Sequence, residues 1–130
     1  MEGNQMHIIR QGIFVVKPEG TRVTYYLFPE YEIHYNELLP NSVQQWHHHT
    51  VIEETLFVIS GEIEIRWLEN DTVVAEKIQH GDVVRVEDTP HTLANLSDTA
   101  ATFLVVRLIL SGKDNREVIK HDKYLDVVQS

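Results

Sequence analysis

Hydrophobic side chains along this chain come in short runs that alternate with polar ones, and each run is closed by a turn signal. In residues 62–67, Ile63, Ile65 and Trp67 alternate with Glu62, Glu64 and Arg66. That period of two puts one face of a strand on a core and the other in water. Residues 42–49 repeat the pattern, with Val43, Gln45, His47 and His49 on one face. Runs at 13–17, 21–28 and 32–39 end at Pro18-Glu19-Gly20, Pro29 and Pro40-Asn41. Those at 62–68, 72–79, 82–86, 91–96 and 102–110 end at Glu69-Asn70-Asp71, His80-Gly81, Asp88-Thr89-Pro90, Ser97-Asp98 and Ser111-Gly112. Turns at such intervals, with no sustained helical stripe between them, predict an all-β sandwich or barrel. Val and Ile together supply 27 of the 130 residues, which favours strand over helix. Residues 1–5 are polar and expected to fray, and the charged tail 111–130 is open to a short helix or an edge strand.

A chain of 130 residues makes one domain, 1–130, with a core of about 8–110. There is no apolar run long enough to cross a bilayer and no basic-then-apolar leader, because Ile8 to Val16 is broken by Arg10, Gln11 and Gly12. The expectation is a soluble, non-exported, cytoplasmic protein. Without cysteine there is no disulfide, thiolate metal site or thiol nucleophile. The formal charge of -9, from 20 acidic against 11 basic residues, argues against nucleic acid and anionic membrane surfaces as partners.

Candidate chemistry concentrates in residues 45–61. On a strand, His47 and His49 project side by side with Cα atoms roughly 6.6 Å apart, and His48 points the other way. Residues 50–53 have room to turn the chain back, so that a second strand, antiparallel to the first, returns Glu54 opposite the two imidazoles. Two imidazoles and a carboxylate form a facial ligand set that suits iron(II) and is open to manganese, nickel, zinc or cobalt. His91, which opens a strand after the Asp88-Thr89-Pro90 turn, is the candidate fourth ligand. Three neutral imidazoles, one carboxylate and a divalent ion leave roughly +1, which favours an anionic ligand.

These stretches resemble the cupin family. Its first motif, G-x5-H-x-H-x(3,4)-E-x6-G, is matched by His47, His49, Glu54 and Gly61, with Asn41 in place of the opening glycine. Asn tolerates the left-handed conformation such glycines adopt. The second motif, G-x5-P-x-G-x2-H-x3-N, is matched at Gly81, His91 and Asn95, with Glu87 and Thr89 at the proline and glycine positions and one residue missing before the histidine. Placing that deletion in the 87–90 turn keeps His91 facing inward. The resemblance implies a double-stranded β-helix or jelly-roll barrel, a metal held by His47, His49, Glu54 and His91, and a homodimer.

Pocket-lining candidates are Gln45 and Leu56, which share faces with the ligands, and Tyr26 and Tyr35 at the barrel mouth. Arg107, alone in an apolar strand, either anchors a substrate carboxylate, pairs with an acidic neighbour or marks where the strand leaves the core. His7, His34, His80 and His121 have no partners at useful spacing and are read as exposed or structural. Reactions on such centres include dioxygenation, decarboxylation and sugar isomerisation of small anionic or oxygen-rich molecules. The competing readings are a non-catalytic module binding a sugar or carboxylate, and a metal-free epimerase-type cupin.

Overall fold

The structure, a computed structural model, describes residues 6–108 and 116–128; the expected fraying of 1–5 and the turn at Ser111-Gly112 lie outside them. The strands are β1 (Ile13–Val16), β2 (Thr21–Leu27), β3 (Tyr31–Leu38), β4 (Ser42–Val43), β5 (His47–His49), β6 (Glu53–Ser60), β7 (Glu62–Glu69), β8 (Thr72–Gln79), β9 (Val83–Val86), β10 (His91–Asn95) and β11 (Ala101–Leu108). The tail supplies both elements left open above, a short helix α1 (Arg116–His121) and then β12 (Lys123–Leu125). One antiparallel sheet has the order β1-β2-β3-β11-β6-β9 and the other β12-β5-β10-β7-β8, with β4 also paired to β10.

The two sheets enclose a core that includes Leu38, Leu56, Val58, Ile63, Leu93 and Phe103. Alternation places these residues: Glu54, Leu56 and Val58 of β6 are buried while Phe57 between them is exposed, and Ile63 and Ile65 of β7 are buried while Glu62 is exposed and Glu64 and Arg66 are half-buried. Turn chemistry sets the lengths. Asn70 and Asp71, at φ 51° and 62°, form the two-residue connection of β7 to β8. Gly61, at φ 80°, turns β6 into β7 where a Cβ would lie 2.7 Å from the Ala101 Cα. Asn41 takes the left-handed conformation expected of it, at φ 59°.

Two expectations are corrected. Residues 42–49 are not one strand: Val43 pairs with Ala94 but His47 with His91, so residues 44–46 hold one more residue than the chain opposite. Such a bulge reverses the facing of side chains across it, which leaves Val43 and Gln45 exposed while His47 and His49 are buried. Second, β5 and β6 are not a hairpin. They belong to different sheets, so residues 50–52 cross between layers and Glu54 meets the histidines across the interior.

Candidate metal centre

Four side chains from three separate strands converge inside the barrel. His47 and His49 come from β5, Glu54 from β6 and His91 from the first position of β10, and each is 5% exposed or less. One ligand atom from each lies within 4.8 Å of all the others. The 87–90 turn absorbs the missing motif residue, so His91 enters its strand facing inward.

The backbone fixes how the imidazoles present themselves. His47 Nδ1 donates to the Gln45 carbonyl at 2.8 Å, His91 Nδ1 to the Thr89 carbonyl at 3.0 Å and His49 Nδ1 to the Asp122 carbonyl at 3.1 Å. Each ring therefore carries its proton on Nδ1 and turns an unprotonated Nε2 to the centre, the tautomer that metal-binding histidines require. His49 Nε2 is buried without a hydrogen-bond partner, 3.3 Å from Glu54 Oε2, and His91 Nε2 is 3.9 Å from Glu54 Oε1. An orphaned buried nitrogen aimed at a carboxylate is costly in a metal-free site and expected where an ion belongs.

Charge agrees with that reading. Burial and the repulsion of His91 push His47 down to about 3, and burial also lowers His91, so both rings are neutral near pH 7. Burial alone would raise the Glu54 carboxyl, but the Arg107 guanidinium holds it well below the usual range. Arg107 Nε donates to Glu54 Oε2 at 2.5 Å. The donor set of three imidazoles presenting Nε2 and one carboxylate thus fits a divalent transition metal.

Of the other sequence-predicted residues, Leu56 and Arg107 line the cavity beside the ligands, and Gln45, Tyr26 and Tyr35 do not. The 44–46 bulge turns Gln45 away and brings Gln44 into the wall instead, so that Gln45 serves through its carbonyl. Tyr26 pairs across the sheet with Ile33, and Tyr35 is 40% exposed, both on the outer side of their strands. Tyr25, paired with His34, faces inward, its ring 4.5 Å from the imidazole. His48 points away from the centre as expected and is held by Asp126 at 2.7 Å and by stacking on Tyr124.

Several functional groups escaped the sequence reading. In β3 the polar residues Glu32, His34 and Asn36 face inward with Leu38. His34 Nε2 is 2.8 Å from Glu32 Oε1, and burial lowers its proton affinity. The spacing of Glu32 and His34 on one strand face was the available signal. From the tail, Asp122 accepts hydrogen bonds from the backbone N–H groups of Thr50, Val51 and Ile52 and from the Thr50 hydroxyl, fixing the crossover between His49 and Glu54. Lys17 and Lys123 join the wall from opposite ends of the chain. Burial, then the nearby Lys123 and Arg107, push Lys17 down to about 8, and burial followed by Arg107 lowers Lys123.

The inner cavity at the ligands is small, about 30 Å³, and meets a wider chamber of about 900 Å³. Lys17, His34, Arg107 and Lys123 line both.

A family model for the cupin domain matches residues 34–107, which include all four converging residues. None of the curated proteins matches the chain in sequence. Among solved structures, an oxalate decarboxylase from Bacillus subtilis superposes at TM-score 0.69 with 15% identity, covering 88% of this chain and 30% of that one. A sugar phosphate isomerase of the cupin superfamily from Silicibacter pomeroyi gives 0.63 at 20% identity, covering 77% and 71%. An oxalate oxidase gives 0.61 at 16% identity, covering 72% of this chain and 53% of its own, so the present chain spans about half the length of that enzyme. At these identities the likeness establishes the jelly-roll fold alone.

Proposed function

The chain belongs to the cupin family, and from that premise we propose that it is a metal-dependent enzyme acting on a small anionic or oxygen-rich molecule at a mononuclear centre. His47, His49, Glu54 and His91 would hold the ion. The observation that carries this reading is the orphaned Nε2 of His49 inside a set of rings whose Nδ1 atoms are already committed to carbonyls. When bound, a divalent ion supplies Lewis acidity and a template for orienting substrate oxygens.

The chain's own groups do the rest. The three carbonyls keep the rings from rotating, and Arg107 keeps Glu54 ionised. The snug inner cavity excludes bulk water, which strengthens every electrostatic contact within it. His34, neutral and oriented by Glu32, is the group placed to take up or return a proton at its ring nitrogen. Dioxygenation is compatible with these parts, and so are oxidation, decarboxylation and isomerisation of the kinds named for the structural relatives. Phe14 and Val16 of β1, exposed on the face of an edge strand turned away from the chamber, suit a homodimer that covers them.

The test is a screen of the metal-loaded chain against small hydroxy, keto and dicarboxylic acids and sugar phosphates, following oxygen uptake and product formation. Turnover abolished by chelation is expected, and His34→Ala should lower it at full metal content. Ligand binding without turnover across the panel supports a non-catalytic module instead. The Glu32–His34 pair favours one second reading, acid–base chemistry without metal, for which turnover would survive chelation.

A further inference from the structure

This acidic chain places cations where a ligand would enter. Against a formal charge of -9, three basic residues, Lys17, Arg107 and Lys123, line one cavity. Arg107 is committed: it donates to Glu54, and across the sheet its strand position pairs with Glu32 on one side and Glu54 on the other. The two lysines are not. They share the walls of the same two cavities, the charge of Lys123 acts on Lys17, and among the described residues neither forms an ion pair with a carboxylate. Glu19 is the acidic group that acts on both, from the turn after β1.

Two adjacent ammonium groups with no paired carboxylate repel one another, and an anion between them removes the repulsion. Their position says how far that anion sits from the ion. Lys17 and Lys123 line both the inner cavity and the outer chamber, so they stand at the junction of the two. The inner cavity, at about 30 Å³, admits an ion and one coordinating group, not a whole organic ligand. Beyond the junction the chamber offers apolar side chains, Ile13, Val15 and Leu27, against which a carbon body can lie. With a divalent ion in place, Glu32 and Glu54 are more than offset by Arg107 and the metal, and the two lysines outweigh Glu19, which leaves the site at roughly +2.

We propose that the ligand of this centre is a dianion with its acidic groups held apart by a short carbon body, one group at the metal position and the other on Lys17 and Lys123. This rests on the metal-centre reading above and narrows its substrate class. A carboxylate and a phosphate satisfy the lysines by the same chemistry.

Calorimetric titration of the metal-loaded full chain with butyrate, glutarate and 3-phosphonopropionate tests it. The wild type should bind one or both dianions at least ~10-fold more tightly than butyrate, since each charge-assisted contact is worth on the order of tenfold. Stronger binding of 3-phosphonopropionate identifies a phosphate-bearing ligand and stronger binding of glutarate a dicarboxylate; either supports the proposal. In the Lys17→Gln/Lys123→Gln double variant the advantage should vanish at unchanged metal content, and in the double Lys→Arg variant it should persist. If the double Gln variant does not fold, each single variant should show a loss of roughly threefold or more in dianion affinity. A metal-loaded wild type with no preference for the dianions, or a Gln variant that keeps the preference, overturns the inference. A wild type that takes up no metal overturns the reading of the centre itself.

Discussion

Asp122 is the most informative residue to perturb, because it ties the tail to the candidate metal centre through bonds that can be enumerated. Its carboxylate accepts from the N–H groups of Thr50, Val51 and Ile52 at 2.9, 2.6 and 3.0 Å and from the Thr50 hydroxyl at 2.5 Å. Hydrogen bonds to a charged acceptor contribute about 1.5 kcal/mol each at the low end, so the four sum to roughly 6 kcal/mol. Thr50 and Val51 are exposed, so their freed N–H groups can be rehydrated, and Asp122→Ala should cost about half of that sum, about 3 kcal/mol. In a domain stable by about 5–15 kcal/mol this is a large fraction, equivalent to a fall in Tm of roughly 10 °C. The same crossover links His49 to Glu54, and the Asp122 carbonyl orients the His49 ring, so metal affinity should fall by about 10- to 100-fold as well. Asp122→Asn keeps one accepting oxygen and should lie between. Urea denaturation in chelator measures the first effect and competition with a metal indicator the second. An Ala variant within about 0.5 kcal/mol of wild type and with unchanged metal affinity would refute the reasoning.

Other consequences follow from the charged interior. Arg107→Leu leaves the buried Glu54 carboxylate without its counter-ion, and should destabilise the metal-free chain by about 3 kcal/mol and the metal-loaded chain by clearly less, as read by urea denaturation of each; an equal cost in both forms would contradict the role given to the ion. Acid should weaken the metal-free fold. His47 titrates at about 3 when folded against an ordinary 6.5, so the unfolded chain binds its proton first, and the stability it contributes is complete above about pH 6.5 and lost as pH falls toward 3. Between pH 7 and 5 that single ring removes about 2 kcal/mol, and His34 and His91, lowered in the same direction, add to it. Glu54 is depressed too, and its contribution is lost as pH falls below its ordinary 4.5. Chemical denaturation in chelator across this range checks the slope, and stability that stays level or rises on acidification contradicts it.

The strands of this fold were legible because most of them bury one face, and a period of two then marks both the element and its orientation. The converging quartet was legible because the spacing of His47, His49, Glu54 and Gly61 follows a known motif and the deletion before His91 fell in a turn. What escaped depended on register and on long-range contact. One extra residue in 44–46 exchanges Gln45 for Gln44, and nothing in the local pattern announces it. In β3, Tyr35 was placed at the mouth and His34 read as exposed or structural, but the inner face is the polar one, Glu32, His34 and Asn36 lining the cavities, and Tyr35 is therefore outside. Lys17, Asp122 and Lys123 meet residues far away in the chain, and the tail that carries the last two had no pattern to reveal its docking on β5.

Everything said of chemistry rests on an ion shared by four side chains. Elemental analysis of the protein purified without added metal, alongside its His49→Ala variant, tests this most directly. About one equivalent of a transition metal in the wild type and almost none in the variant is the predicted result. A wild type that cannot be loaded with any divalent metal, or a variant that retains a full equivalent, would contradict it.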